Sequence, residues 1–207
     1  MINMKPVNLS MPGYQANEYQ LVLLPHEDLR ERINKIKAAF AEKFKAPNAK
    51  FTKPHVGLVN FLSLGMMEDR LLQRLQAIAM GITPFKLEIK NYGSYPSHTI
   101  FFDVITRLPV QHLVSELKQA QRLMKLNQEN KPHFFEDPHI TLCMKLKPWQ
   151  YEQGWLEFSL RQFTGRFIAD GMLLLKRPAE EKGAFQIVRR FEFMNLPVAT
   201  KQGNLFV

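Results

Sequence analysis

The feature that most constrains this chain is a short segment that occurs twice. Lys53-Pro54-His55-Val56-Gly57-Leu58 and Asp137-Pro138-His139-Ile140-Thr141-Leu142 both read Pro-His-aliphatic-small-Leu, with the histidines 84 residues apart. Each is an apolar run behind a proline, the pattern of a strand whose start the proline sets. Side chains alternate across a strand, so His139 and Thr141 share one face, as do His55 and Gly57. Two residues along one face span roughly 6.5–7 Å. At that spacing an imidazole and a hydroxyl can both reach a single phosphate.

The segments lie in a repeated frame. A strand over 19–24, closed by Pro25, precedes a helix over 27–45 with Leu29, Ile33, Ile36, Phe40 and Phe44 at helical spacing. The His55 strand runs to Leu62, and a helix over 67–80 follows, capped by Gly81. Phe85, Leu87 and Ile89 alternate with charged residues as a half-buried strand, a turn-rich loop covers 91–97, and a strand covers 99–105. Pro109 opens the next helix, with Val110, Leu113, Leu117, Ala120 and Met124 inward. A polar loop over 127–138 leads into the His139 strand, expected to reach Leu146, and then a helix over 148–163 interrupted by Gly154. A hairpin of strands 167–175 and 185–193 ends the pattern.

Helix–strand(His)–helix–strand–strand thus occurs twice, over about 27–105 and 109–193. The duplication predicts an α+β fold: two lobes related by a pseudo-twofold axis, with two largely antiparallel sheets flanking a central cleft. No Gly/Ser-rich linker parts the copies, so residues 1–207 read as a single bilobal domain, with a loose arm over 1–17 and a tail from about 195.

Composition narrows the partners. Lysine and arginine total 28 against 19 acidic residues, a formal charge of +9, which favours polyanions such as RNA or nucleotides. No apolar run approaches the ~20 residues of a membrane span, and residues 1–17 lack a signal-peptide core. One cysteine, Cys143, excludes an internal disulfide framework and points to the cytoplasm.

Two opposed histidines suit cleavage of a phosphodiester without a metal. One imidazole takes a proton from the attacking hydroxyl or water and the other returns one to the leaving oxygen, both near neutral pH. A hydroxyl two residues on stabilises charge on a non-bridging oxygen. With His55-Val56-Gly57 and His139-Ile140-Thr141 in matched strands, the chain resembles the two-histidine phosphoesterases, the group of 2′-5′ RNA ligase-like proteins and RNA cyclic phosphodiesterases. The likeness extends over about residues 19–193. It implies a bilobal α+β enzyme, without cofactor, that opens 2′,3′-cyclic phosphates on RNA ends or nucleotides, with 2′-5′ ligation in some members. Gly57 stands where the family has threonine or serine. Cys143 stands where some members have a basic residue, and Lys145, two residues further, is its expected substitute.

Lys53 and Arg189 are the other candidate phosphate contacts. Lys53 precedes the first motif, and Arg189 falls in step with the apolar face of Phe191 and Phe193, as a cleft residue or an edge residue. Tyr92 and Tyr95 are candidates for stacking on a base. His133, His139 and Cys143 make no zinc site, because four strand residues span roughly 13 Å. Two further readings stay open beside the enzyme: a non-catalytic RNA- or nucleotide-binding module, with Gly57 as its trace, and a phosphodiesterase of a small metabolite. Because strands accept threonine, Gly57→Thr is expected to raise turnover of a nucleoside 2′,3′-cyclic phosphate.

Overall fold

Apolar stripes and the prolines and glycines between them cut the chain into five helices and nine strands, described in a computed structural model over residues 13–180 and 183–196. The expected arm up to residue 12, residues 181–182 of the last turn and the tail from 197 lie outside the described residues. In order come β1 (Ala16–Leu23), α1 (Glu27–Lys43), α2 (Asn48–Phe51), β2 (Val56–Leu64), α3 (Glu68–Gly81), β3 (Phe85–Tyr95) and β4 (Thr99–Val104). Then follow α4 (Arg107–Leu117), β5 (His133–Phe134), β6 (His139–Cys143), α5 (Pro148–Phe158), β7 (Thr164–Ala169), β8 (Gly171–Pro178) and β9 (Gln186–Glu192).

The strands form two antiparallel sheets, ordered β5-β2-β1-β8-β9 and β6-β4-β3-β7. The architecture is α+β, as the duplicated pattern implied. The copies are interlaced: β2 of the first lies in one sheet and its β3–β4 pair in the other, while β6 and the β8–β9 pair do the reverse. The exchange shows at Asp170, where the strand expected over 167–175 divides into β7 of one sheet and β8 of the other. Gly171 stands at that crossing, and a Cβ there would lie 2.6 Å from the Phe191 carbonyl oxygen.

Three other elements differ from expectation. The loop expected over 91–97 is largely strand: a bulge between Ile89 and Tyr92, with Asn91 at φ 61°, lets β3 run on to Tyr95. The polar loop before His139 contributes β5, which adds to the edge of β2. β6 stops at Cys143, three residues short of Leu146. In the first sheet, alternation sends Tyr19, Leu21, Val59 and Leu174 into a buried face. The other face carries Gln20, Val22 and Gly57 toward the cleft. Among the described residues no helix is long and apolar enough to cross a membrane.

Candidate active site

Both histidines are held by the same local bond. A carbonyl oxygen can only accept, so each ring must donate from Nδ1: His55 to Lys53 O at 2.8 Å and His139 to Asp137 O at 2.9 Å. The proline between the two residues holds the backbone extended so that the ring folds back onto that carbonyl. Each Nε2 is thereby left for the cleft. Gln20, on the neighbouring β1, donates its amide N–H to His55 Nε2 at 3.3 Å, which identifies that nitrogen as the lone-pair side.

The two rings sense each other. Burial lowers the proton affinity of His55 below the ordinary histidine value; the bond to Lys53 O opposes this, and the charges of Lys37 and His139 add to the lowering. His55 is therefore neutral at neutral pH, with its Nε2 lone pair facing the Gln20 amide. His139 packs against Phe101 at 4.7 Å and Tyr95 at 5.5 Å between ring centres. Tyr95 donates its hydroxyl to Asp137 Oδ2 at 3.0 Å and lies 3.5 Å from His139 Nδ1. Burial and Asp137 push the Tyr95 phenol up to about 12, so it stays a donor. Two glycines make room for rings: a Cβ at Gly93 would run into Phe101, and one at Gly57 would lie 3.2 Å from Phe135 Cδ2 and 3.3 Å from Cε2.

The last contact bears on the expected Gly57→Thr gain. The strand backbone at Gly57 would accept threonine, but Phe135, anchored by its N–H to Leu58 O at 3.0 Å, lies against the position and would have to shift by a few tenths of an ångström. Thr141 faces the cleft beside His139, paired with Phe101.

The remaining candidates part company. Lys53 contributes its carbonyl to His55, and its side chain is exposed. Lys145 leaves the face of His139 and Thr141, because β6 has ended and the backbone turns left-handed there, φ 56°. It lines a pocket of about 410 Å³ with Lys45, Lys147 and Trp149. Arg189 is an edge residue: it pairs with Leu174, on the sheet face opposite Gln20 and Gly57, and its guanidinium lies over the Phe191 ring. Tyr92 packs on Phe102 and Phe158 in the interior, away from any base. A roomier pocket of about 660 Å³ opens between α1 and the β3–β7 edge, but it holds neither histidine and mixes Arg32, Lys90 and Arg166 with Asp28 and Glu88.

Lys37 escaped the sequence reading. It is 1% exposed, on the buried stripe of α1. A lysine in step with Leu29, Ile33, Phe40 and Phe44 was the available signal. Phe135 and Gln20 carried none, because they reach the site from other parts of the chain, Gln20 from β1 and Phe135 from just after β5.

His55, at the head of β2, and His139, opening β6, belong to different sheets of the α+β fold, near enough for the charge of His139 to act on His55. The model of the 2′-5′ RNA ligase superfamily matches residues 25–181, and the chain belongs to that family. Solved structures agree in fold. E. coli LigT complexed with 3′-AMP is 15% identical at a TM-score of 0.60, covering 86% of this chain and 99% of LigT. LigT complexed with NADP+ is 15% identical, with a TM-score of 0.58 and coverage of 87% and 99%. A structure described as a phosphoesterase is 16% identical, with a TM-score of 0.56 and coverage of 86% and 98%. A comparison with curated proteins finds no match.

Proposed function

We propose that the protein is a phosphodiesterase that opens 2′,3′-cyclic phosphates on RNA ends or nucleotides by acid–base chemistry at His55 and His139. The observation that carries this reading is the shared Nδ1–carbonyl bond, which ties one nitrogen of each ring to the main chain and turns the other, Nε2, away from it. His55, neutral, takes a proton from the attacking water as its oxygen bonds to phosphorus. His139 gives its proton to the ribose oxygen as the P–O bond breaks. Thr141 donates its hydroxyl to a non-bridging oxygen. With a 5′-hydroxyl in place of water as the attacking group and the 3′-oxygen leaving with the proton, the same ring opening joins RNA through a 2′-5′ linkage. The charge of +9 and the nucleotides named for the LigT structures support an RNA or nucleotide substrate, met in the cytoplasm.

Incubation with a nucleoside 2′,3′-cyclic phosphate tests it: we expect a single monophosphate product. A non-catalytic binding module is favoured by one observation, the Phe135 ring packed against Gly57, which carries no hydroxyl. Tight RNA binding without turnover would establish that reading instead.

A further inference from the structure

Lys37 is a charged group sealed inside α1, and its surroundings are specific. Its Nζ donates to Thr52 O at 2.6 Å, Thr52 Oγ1 at 2.8 Å and Thr141 O at 3.2 Å. An ammonium has three N–H donors and no acceptor, so three oxygens match the protonated form and leave nothing unpaired. A neutral amine would turn its lone pair onto an oxygen. The two threonines belong to different motifs: Thr52 lies three residues before His55, and Thr141 two after His139.

Among the described residues the charge has no counter-ion. No described carboxylate makes an ion pair with Lys37. The titratable groups that face it are the Cys143 thiol on β6 and His55 at the head of β2, with His139 beyond His55. Burial pushes the thiol up to about 11, so it supplies no negative charge at neutral pH. Burying an unpaired ion is costly unless something balances it. The cleft between the histidines is where an anion would come.

We propose that Lys37 is a positioning residue of the phosphate site, whose ammonium ties the His55 and His139 segments to one point and holds beneath them a positive charge that bound phosphate balances. The inference rests on reading the cleft as a phosphate site. Without the anion, burial pulls the Lys37 amine down to about 8. Phosphate bound above it favours the charged form, and by reciprocity the charged form favours phosphate.

The test follows the Lys37 Nζ and the two histidine ring resonances by NMR in the wild-type protein, with and without inorganic phosphate. Sulfate, whose charge is constant between pH 7 and 10, serves as a second probe. We expect either anion to move both histidines and to raise the pH at which Lys37 loses its proton. Lys37→Met, which keeps most of the length of the side chain, should bind phosphate on the order of tenfold more weakly and lose the fall of sulfate affinity across pH 8–9. Its kcat should drop as well, with the acidic limb of the rate profile shifted upward as His55 loses a cationic neighbour. If the histidines respond while the Lys37 titration stays put, or Lys37→Met keeps wild-type affinity and pH profile, the proposal falls and the phosphate site stands. If neither anion moves the histidines, both fall. Should Lys37→Met fail to fold, the wild-type titration decides alone.

Discussion

His55 and His139 are held by one bond, ring Nδ1–H to the carbonyl two residues back, yet the walls around them differ. His139 has a hydroxyl neighbour at Thr141, an aromatic box of Phe101 and Tyr95, and Asp137 one bond beyond the phenol. His55 has an amide at Gln20, and Phe135 packs against Gly57, which carries no hydroxyl. A duplicated motif therefore need not make a symmetric site. The backbone device sets which nitrogen of each ring is tied to the main chain, while the neighbours give the two rings different surroundings. On the proposed mechanism, that divergence lets one ring act as base and the other as acid.

The comparison breaks first at the histidines. His55→Ala and His139→Ala should each lower turnover of a nucleoside 2′,3′-cyclic phosphate by ~10²–10⁴-fold, the usual worth of a general acid or base. Circular dichroism should show the fold retained. Near-normal turnover in either variant would make that histidine structural.

Gly57 sharpens the comparison. Ordinary carbon contacts lie at ~3.5–4.0 Å, so a Cβ 3.2 Å from the Phe135 ring forces that ring aside. Gly57→Thr should cost ~1–3 kcal/mol of stability by overpacking and lower turnover, the reverse of what the strand alone suggests. Gly57→Thr with Phe135→Ala should recover the stability and exceed Phe135→Ala in turnover, since a hydroxyl then faces the phosphate. Denaturant melts and rates of the three variants check this; a well-folded Gly57→Thr with raised turnover would contradict it.

The pH dependence follows from His55. Its proton affinity is lower in the folded chain than the unfolded value of about 6.5, so folding disfavours its protonated form. The sign is that of a penalty: stability is unaffected above about 6.5 and is lost as pH falls from there through the folded value. As the base, His55 must be neutral, so the acidic limb of kcat/KM should also lie below about 6.5. A limb above that value would assign the base to another group.

Tyr95 gives the smallest effect. Tyr95→Phe removes the bond to Asp137 but keeps the ring against His139, so a loss of ~0.5–1.5 kcal/mol in stability and a few-fold fall in kcat are expected. An unchanged melting midpoint would show that the phenol bond contributes nothing.

The α+β class, most helices and the two histidine strands were legible in the amino-acid sequence because each rests on local rules. Proline sets a strand start, period two or 3.6 marks the buried face, and a repeated pattern implies a repeated unit. Extrapolating those rules past the end of an element failed. Lys145 left the His139 face because β6 stops at Cys143 and the chain turns left-handed, and the bulge between Leu174 and Leu175 shifted which residues of β9 share a face with β1. What only the tertiary structure decided is what fills the space beside each motif. Phe135, just after β5, reaches Gly57 from 78 residues away in the chain, an order of long-range packing that no local periodicity encodes. Lys37 lies between the two: its place on the stripe of α1 is written in the sequence, but its three oxygen partners come from segments brought together by the interlaced sheets. A buried charge is tolerated only where such partners converge, and convergence is a property of the folded chain.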